Sequence, residues 1–348
     1  MIDRENMYHV LFDKDMNVID TNEKTRNDYP FLTDAEYMKN LLKDSLSDFS
    51  SFPVISDCGN AAPGYRLVIS KEEDCIRCCL AADKKAYTNE VITNINYHMR
   101  EPISTIFALL PVTANSINRG DDDKAILYLE NIGQLSYQLL RSLNNVSLAA
   151  KLIAKEELKK ETVDFSSLLE SLINSVSTIE KELHFETDIE PGLLITTNSN
   201  LITDGILNLI ANSIKFRSDS PAEIHVSLKK NGRNIVFSYS DTSKGIREEY
   251  RQSVFLPYFS QEPYGESANP YETGLGLGLY IARRAFEFSG GNLLLTSSFG
   301  EGVKYMVSLP AAENTDNILF SNRRDFLLNR YSNIFIQLCE SCMPPPLV

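Results

Sequence analysis

Four short stretches between residues 201 and 310 carry residue types and spacings that could do chemistry. In 206–216, Asn208, Asn212 and Lys215 recur at i, i+4 and i+7 on one stripe of a helical pattern, with Leu207, Ile210 and Ile214 on another. Carboxamide oxygens one turn apart can ligate a hard cation, and a lysine one turn further can meet phosphate. The same stripe also suits a solvated polar face. Residues 234–240 read as a strand ending at Asp241, followed by the turn Thr242, Ser243, Lys244, Gly245. An acceptor-only carboxylate at a strand end can take a hydrogen bond from an exocyclic amine such as that of adenine. Residues 254–259 form an aromatic-rich block, and the Pro-, Gly- and Tyr-rich segment from there to Thr273 has the composition of a lid. In 274–279, Gly274, Gly276 and Gly278 alternate with leucines ending at Leu279, which suits neither a strand nor a helix interior. This run feeds a helical pattern at 280–286. A glycine turn at a helix N-terminus offers free N–H groups and the positive end of the dipole to an anion.

These stretches need a scaffold, which residues 159–165 link to the chain upstream. A helix is expected over 165–179, strands over 183–187 and 193–196 around Pro191 and Gly192, and a closing hairpin over 292–297 and 303–309 around Gly300 and Gly302. Upstream, Ile92, Ile95, Met99, Ile103, Ile106 and Leu110 recur at threes and fours within a helix of about 82–118. Gly120 and the aspartates 121–123 break it, and a second helix of about 124–158 presents Leu129, Ile132, Leu139, Leu143 and Val146. Two long antiparallel helices bury too little alone, so pairing with a second copy into a four-helix bundle is expected. Residues 8–80 read as a small α+β module: strands at 9–12 and 17–20 joined by a polar turn, a helix over 32–46, and a strand at 65–69.

Taken in order, the two-asparagine helix, the Asp-then-Gly strand end, the aromatic block, the lid and the alternating glycines resemble the N, G1, F and G2 boxes of the sensor histidine kinase ATP-binding domain. The resemblance covers about residues 80–310. It implies an α+β multidomain chain: a PAS-like sensory module (1–80), a helical-hairpin dimerisation domain (81–158), an α/β-sandwich ATP-binding domain of the Bergerat type (159–312) and a C-terminal amphipathic helix or tail (313–348). It also implies ATP and magnesium as cofactors, with Asn212 on the metal. Asn208, Asn212, Lys215, Asp241, Gly245, Gly274, Gly276, Gly278 and Leu279 would bind ATP, and Asn208 would also serve catalysis. A homodimer and a response-regulator partner follow by the same analogy.

Three positions depart from the family pattern. The family's H box is H-E-x-R-x-P-L; aligning on Arg100, Pro102 and Ile103 puts Tyr97 at the phosphoacceptor position and His98 at that of the acid. On an ideal helix Tyr97 points opposite the apolar seam and His98 about a quarter-turn aside. Pro102 cannot donate to the carbonyl of His98, which leaves room for a local kink. His98 as displaced phosphoacceptor, Tyr97 as acceptor with His98 as its base, and a nucleotide-binding pseudokinase scaffold all remain open. Ser243 replaces the first glycine of the G1 box, where a required positive φ would strain it. Val303 stands where the family usually has Thr near the adenine.

The net charge of −13 argues against a general nucleic-acid or anionic-membrane surface, and 43% hydrophobic residues support packed cores. No apolar run approaches the roughly 20 residues that span a bilayer, and the first residues lack signal-peptide character, so a cytoplasmic protein is expected. Of six cysteines, Cys75, Cys78 and Cys79 cluster; they read as structural or as a metal or redox pair. An amphipathic helix over 317–339 either docks on the ATP module or serves a partner or autoinhibition.

Overall fold

The computed structural model describes residues 8–13, 15–21, 25–26, 29–42, 54–57, 65–72, 75–82, 84–217, 222–251, 253–259, 274–312 and 331–339. The chain divides into two compact units, 1–95 and 96–348.

In the first unit, β1 (His9–Phe12) and β2 (Val18–Thr21) form the expected hairpin. Asp13 makes the turn: its Oδ1 accepts the N–H groups of Asp15 and Asn17 at 2.9 and 2.8 Å. Hydrogen bonds from Asn17, the side chain first, hold the Asp13 carboxyl below its usual range. Strands β3 (Val54–Asp57), β4 (Tyr65–Glu72) and β5 (Cys75–Ala82) complete an antiparallel sheet in the order β2-β1-β5-β4-β3. Val10, Phe12, Leu67, Ile69, Ile76, Cys78 and Leu80 alternate into its core, with Leu32 and Met38 also buried. The helix expected over 32–46 is a 3-10 turn at Pro30–Thr33, then α1 (Ala35–Leu42); residues 43–46 lie outside the described residues. Strand period explains the cysteines. Cys78 is buried while Cys75 and Cys79 are half-exposed on the alternate positions, so the C-x-x-C pair is split between two faces. Among the described residues no group of three or more His, Cys, Asp or Glu could hold a metal.

Helix α2 (Lys84–Asn118), whose residues from 96 on belong to the second unit, forms a hairpin with α3 (Asp122–Ile153) through Gly120. Asp121 does not cap α3 with its side chain but pairs with Lys124 at 2.6 Å; Asp122 and Asp123 occupy the first turn, where the dipole favours them. Helix α3 stops at Ile153, short of the expected 158, because Lys155 turns to φ 53° and the Glu156 N–H closes on Lys151 O at 3.0 Å.

The remainder builds an α/β sandwich from β6 (Glu161–Asp164), α4 (Phe165–Ile179), β7 (Leu183–Ile189), β8 (Leu194–Thr197), α5 (Ser199–Lys215), β9 (Ala222–Asn231), β10 (Asn234–Asp241), α6 (Gly278–Phe288), β11 (Leu293–Ser297) and β12 (Val303–Pro310). The main sheet runs β11-β12-β10-β9-β7, antiparallel except for β7 beside β9; β6 pairs separately with β8. The segment 159–165, read from sequence as a linker, thus contains strand β6. Its Asp164 caps α4, accepting the Ser167 N–H at 2.9 Å. Strand β9 went unread, although Ala222, Ile224, Val226 and Leu228 alternate into the core. Three rings join helices to sheet: Phe237 stacks on Phe286 at 5.2 Å and lies 5.9 Å from Phe165. Such buried rings each contribute about 2–3 kcal/mol by area. Of the C-terminal segment, α7 (Asn333–Gln337) is described; 313–330 lie outside the described residues.

Candidate functional site

Helix α5 is the floor of the site. Its N-terminus is capped by Asn198, whose Oδ1 accepts the Leu201 N–H at 3.0 Å. Asn208 is completely buried; its Nδ2 donates to Asp204 O at 2.9 Å, while its Oδ1 has no hydrogen-bond partner among the described residues. That oxygen lies behind the first residue of α6: a Cβ placed on Gly278 would come within 2.8 Å of it. An unpaired buried acceptor costs about 1–3 kcal/mol. Such a group fits a site whose remaining partner, a cation or bridging water, arrives with a ligand. Asn212, one turn on, is half-buried, and Lys215 ends the helix with its Nζ 3.6 Å from where a Gly274 Cβ would stand.

Gly274 and Gly276 lie in an irregular turn ahead of α6, and Gly278 is the first residue of that helix. Gly276 has φ 67°, and a Cβ there would sit 2.1 Å from Phe259 O, so the turn is pressed against the aromatic block. Leu277, the N-cap residue of α6, makes no side-chain cap hydrogen bond, and the start of a helix is where N–H groups can meet an anion. Leu279 is half-buried on the first turn of α6. Phe255 and Phe259 are buried, and the Arg283 guanidinium lies over the Phe255 ring at 5.4 Å. The lid read at 260–273 falls outside the described residues.

Asp241 ends β10 inside a buried polar network. Its Oδ1 accepts the N–H groups of Ser243 and Val303 at 3.0 and 3.2 Å, and its Oδ2 accepts from Ser213 Oγ. Ser213 Oγ also lies 2.7 Å from Tyr239 OH. Burial, then the Asp241 charge, push the Tyr239 and Tyr305 phenols well above their usual range, so both remain protonated donors. Val303 serves the site through its backbone rather than through a side-chain hydroxyl. Ser243 is not strained: it is absent from the non-glycine residues with positive φ, and its N–H closes on Asp241. The left-handed geometry falls on Gly245 instead, at φ 71°. A Cβ on Gly245 would lie 2.1 Å from Ser298 O, and that is backbone, which cannot step aside. Gly245→Ala is expected to cost about 2–4 kcal/mol in urea unfolding, combining strain with overpacking; a change below ~0.5 kcal/mol would contradict this geometry.

On the hairpin, Tyr97 is 42% exposed and His98 half-buried, their rings edge-on at 5.6 Å. Burial first, then the Lys215 ammonium, hold the His98 imidazole below its usual pKa. Helix α2 continues through Pro102, and nearby hydroxyls add bonds to its carbonyls: Ser104 Oγ donates to Arg100 O at 2.8 Å and Thr105 Oγ1 to Glu101 O at 3.1 Å. The Lys215 charge thus acts on His98, Lys215 stands beside Gly274 and Asn208 beside Gly278, and Asp241 is joined to α5 through Ser213.

Sequence reasoning passed over Ser213, Tyr239 and Asp204. A signal for Ser213 existed, since it is a hydroxyl among apolar neighbours on a helix that is otherwise buried there. Asp204 lies one turn before Asn208, takes a hydrogen bond from Asn333 Nδ2 at 2.8 Å, and is pushed by burial up to about 7 from 3.8. Between those values the folded chain holds a proton the unfolded chain has lost. Stability from this group is thus full below the lower value and declines as pH rises to the upper one. Asp204→Asn is expected to remove that slope, gaining about 1–4 kcal/mol over wild type at pH 8 with little difference near pH 4. Denaturant unfolding across pH decides it.

Comparison with known proteins follows this geometry. Residues 197–313 match the family described as "Histidine kinase-, DNA gyrase B-, and HSP90-like ATPase". The chain is 25% identical over 237 residues to Sporulation kinase B of Bacillus subtilis, covering 66% of this chain and 51% of that protein. It is 26% identical over 236 residues to the Aerobic respiration control sensor protein ArcB of Escherichia coli, covering 65% and 29%. Among solved structures, Acinetobacter baumannii histidine kinase AdeS aligns at TM-score 0.45 and 16% identity, over 62% of this chain and 97% of that one. The chain thus spans about half the length, or less, of the two curated relatives named. Residues 197–313 are similar to the ATPase module that this family model describes. The chain that carries it is a relative of the sensor histidine kinases, as its boxes indicated. No helix among the described residues is long and apolar enough to cross a membrane.

Proposed function

We propose that the chain is a two-component sensor kinase in which Mg-ATP, bound between α5 and α6, phosphorylates His98 for onward transfer to a response regulator. The observation supporting this reading is that Lys215 Nζ stands 3.6 Å from where a Gly274 Cβ would lie, while the Lys215 charge acts on His98. An imidazole depressed by burial and a neighbouring cation stays neutral at physiological pH, and only the neutral form has the lone pair that attacks phosphorus. Attack forms the N–P bond as the bond from the γ-phosphorus to its bridging oxygen breaks, leaving ADP. Lys215 would hold the phosphates, and Asp241 the adenine amine. The N–H groups at Gly278 and Leu279 would face the polyphosphate behind the turn of Gly274 and Gly276, and Gly245 would let its loop close over the nucleotide. Asn212 would ligate magnesium with Asn208 completing the polar floor, and the metal's charge would offset that of the oxygens.

The partners follow. Ile103, Phe107, Leu110, Ile126, Leu129 and Leu143 are exposed on the hairpin, an apolar surface suited to a second copy in a four-helix bundle. The five-stranded sheet of the first unit supports a PAS-like sensory module, and a cytoplasmic setting suits the whole. Tyr97 in the family's acceptor register favours a second reading, a nucleotide-binding scaffold without transfer. Incubation with γ-labelled ATP and magnesium decides between them. Acid-labile label on His98 is expected; tight ATP binding without label overturns the kinase in favour of the scaffold.

A further inference from the structure

We propose that α7 is an intramolecular clasp that ties the α2–α3 hairpin to the ATP module of its own chain. Helix α7 has five residues, too few to be stable alone in water. Its order comes from its seat, where Ile334, Phe335, Ile336, Leu338 and Cys339 are all buried. It packs on two elements at once, α3 of the hairpin and α5 of the ATP module. Polar contacts fix it at both ends. Toward the module, Asn333 Nδ2 donates to Asp204 Oδ1 at 2.8 Å. Toward the hairpin, Gln337 Nε2 donates to Asn145 Oδ1 at 2.9 Å, while Gln337 Oε1 accepts from Arg141 Nε at 3.3 Å.

Gln337 and Asn145 are 3% and 7% exposed, which makes the register specific. A shift of one turn along α3 would leave two buried carboxamides unpaired, a heavier penalty than any surface contact returns. Asn145 is also the one buried carboxamide on α3, and α7 supplies its partner. The module end bears on the nucleotide floor. Asp204 lies on α5, and its carbonyl is the acceptor that orients Asn208. None of these α7 residues falls within the matched 197–313 segment, so the clasp is an addition to the ATPase module. While docked, it keeps the hairpin from swinging away from α5, and so keeps His98 within reach of the Lys215 charge. That last consequence rests on the kinase reading; the mechanical tie does not.

The test uses the full chain and amide hydrogen exchange. Phe335→Asp, which makes burial of α7 untenable, is expected to speed exchange of the α3 amides around 141–149 about tenfold or more, with β9, β10 and β12 unchanged. Gln337→Ala, which cuts only the hairpin end, is expected to give a smaller change in the same α3 segment. Unchanged α3 exchange in Phe335→Asp would overturn the proposal, as would an equal loss across the sheet, which would make α7 an ordinary part of the module's core. In a second arm, Phe335→Asp is expected to slow His98 labelling about tenfold at unchanged ATP affinity. An unchanged labelling rate beside faster α3 exchange would remove the hold on His98. Wild type that takes no label refutes the kinase reading, and exchange then decides the clasp alone.

Discussion

His98→Ala is expected to abolish acid-labile labelling by γ-labelled ATP, a loss of about 100-fold or more because no other group replaces the nucleophile. Tyr97→Phe is expected to keep labelling within about threefold. The asymmetry comes from the hairpin: the Lys215 charge acts on His98, whereas Tyr97 is 42% exposed at its edge. Phenols as a class keep their proton at neutral pH and are poor nucleophiles without a base. The variants also separate the chemistry of the product, since phosphohistidine is acid-labile and phosphotyrosine is not. Acid-stable label that vanishes in Tyr97→Phe would reverse the assignment, making Tyr97 the acceptor and His98 its base. Label surviving in both variants would place the acceptor elsewhere.

Asp241→Ala is expected to weaken Mg-ATP binding about 100-fold, near 3 kcal/mol, and to destabilise the fold by about 2–4 kcal/mol. Both effects come from one carboxylate. Its removal leaves the Ser243 and Val303 N–H groups and Ser213 Oγ without their acceptor, in a wall where Tyr239 is completely buried. Asp241→Asn separates the two. The amide oxygen can still accept from Ser243 and Val303, so stability is expected to stay within about 1–2 kcal/mol of wild type, while the loss of charge and of an acceptor face weakens adenine binding. Calorimetric titration with Mg-ATP and urea unfolding read the two separately. An Asp241→Asn variant that binds ATP as tightly as wild type would show that the carboxylate serves the wall and not the base.

Much of the candidate site was legible because its residues lie on strongly periodic elements. The stripe on α5 and the glycine turn into α6 follow from local rules, as does Asp241 at its strand end. The fold around them was less legible where pairing is non-local. Strand β6 looked like a linker because four residues give too little alternation, and its partner β8 follows a helix and a strand later in the chain. Strand β9 carries clear alternation but is centred in the sheet by β10 on one side and a parallel β7 on the other. The placement of His98 was open for a similar reason. Helical spacing gives an angle about one axis, not which neighbouring element fills the space beyond it. Asp204 and Gln337 were invisible as partners of a clasp, because nothing local marks a carboxamide that will be buried against a helix about 190 residues distant in sequence.

The turn after β10 shows what the box tolerates. One glycine there is demanded by its neighbours' backbone, and the other position asks only for an N–H aimed at the carboxylate, which serine supplies as well. A search pattern written with glycine at both places would discard this chain for a substitution that its folded turn absorbs at no conformational cost.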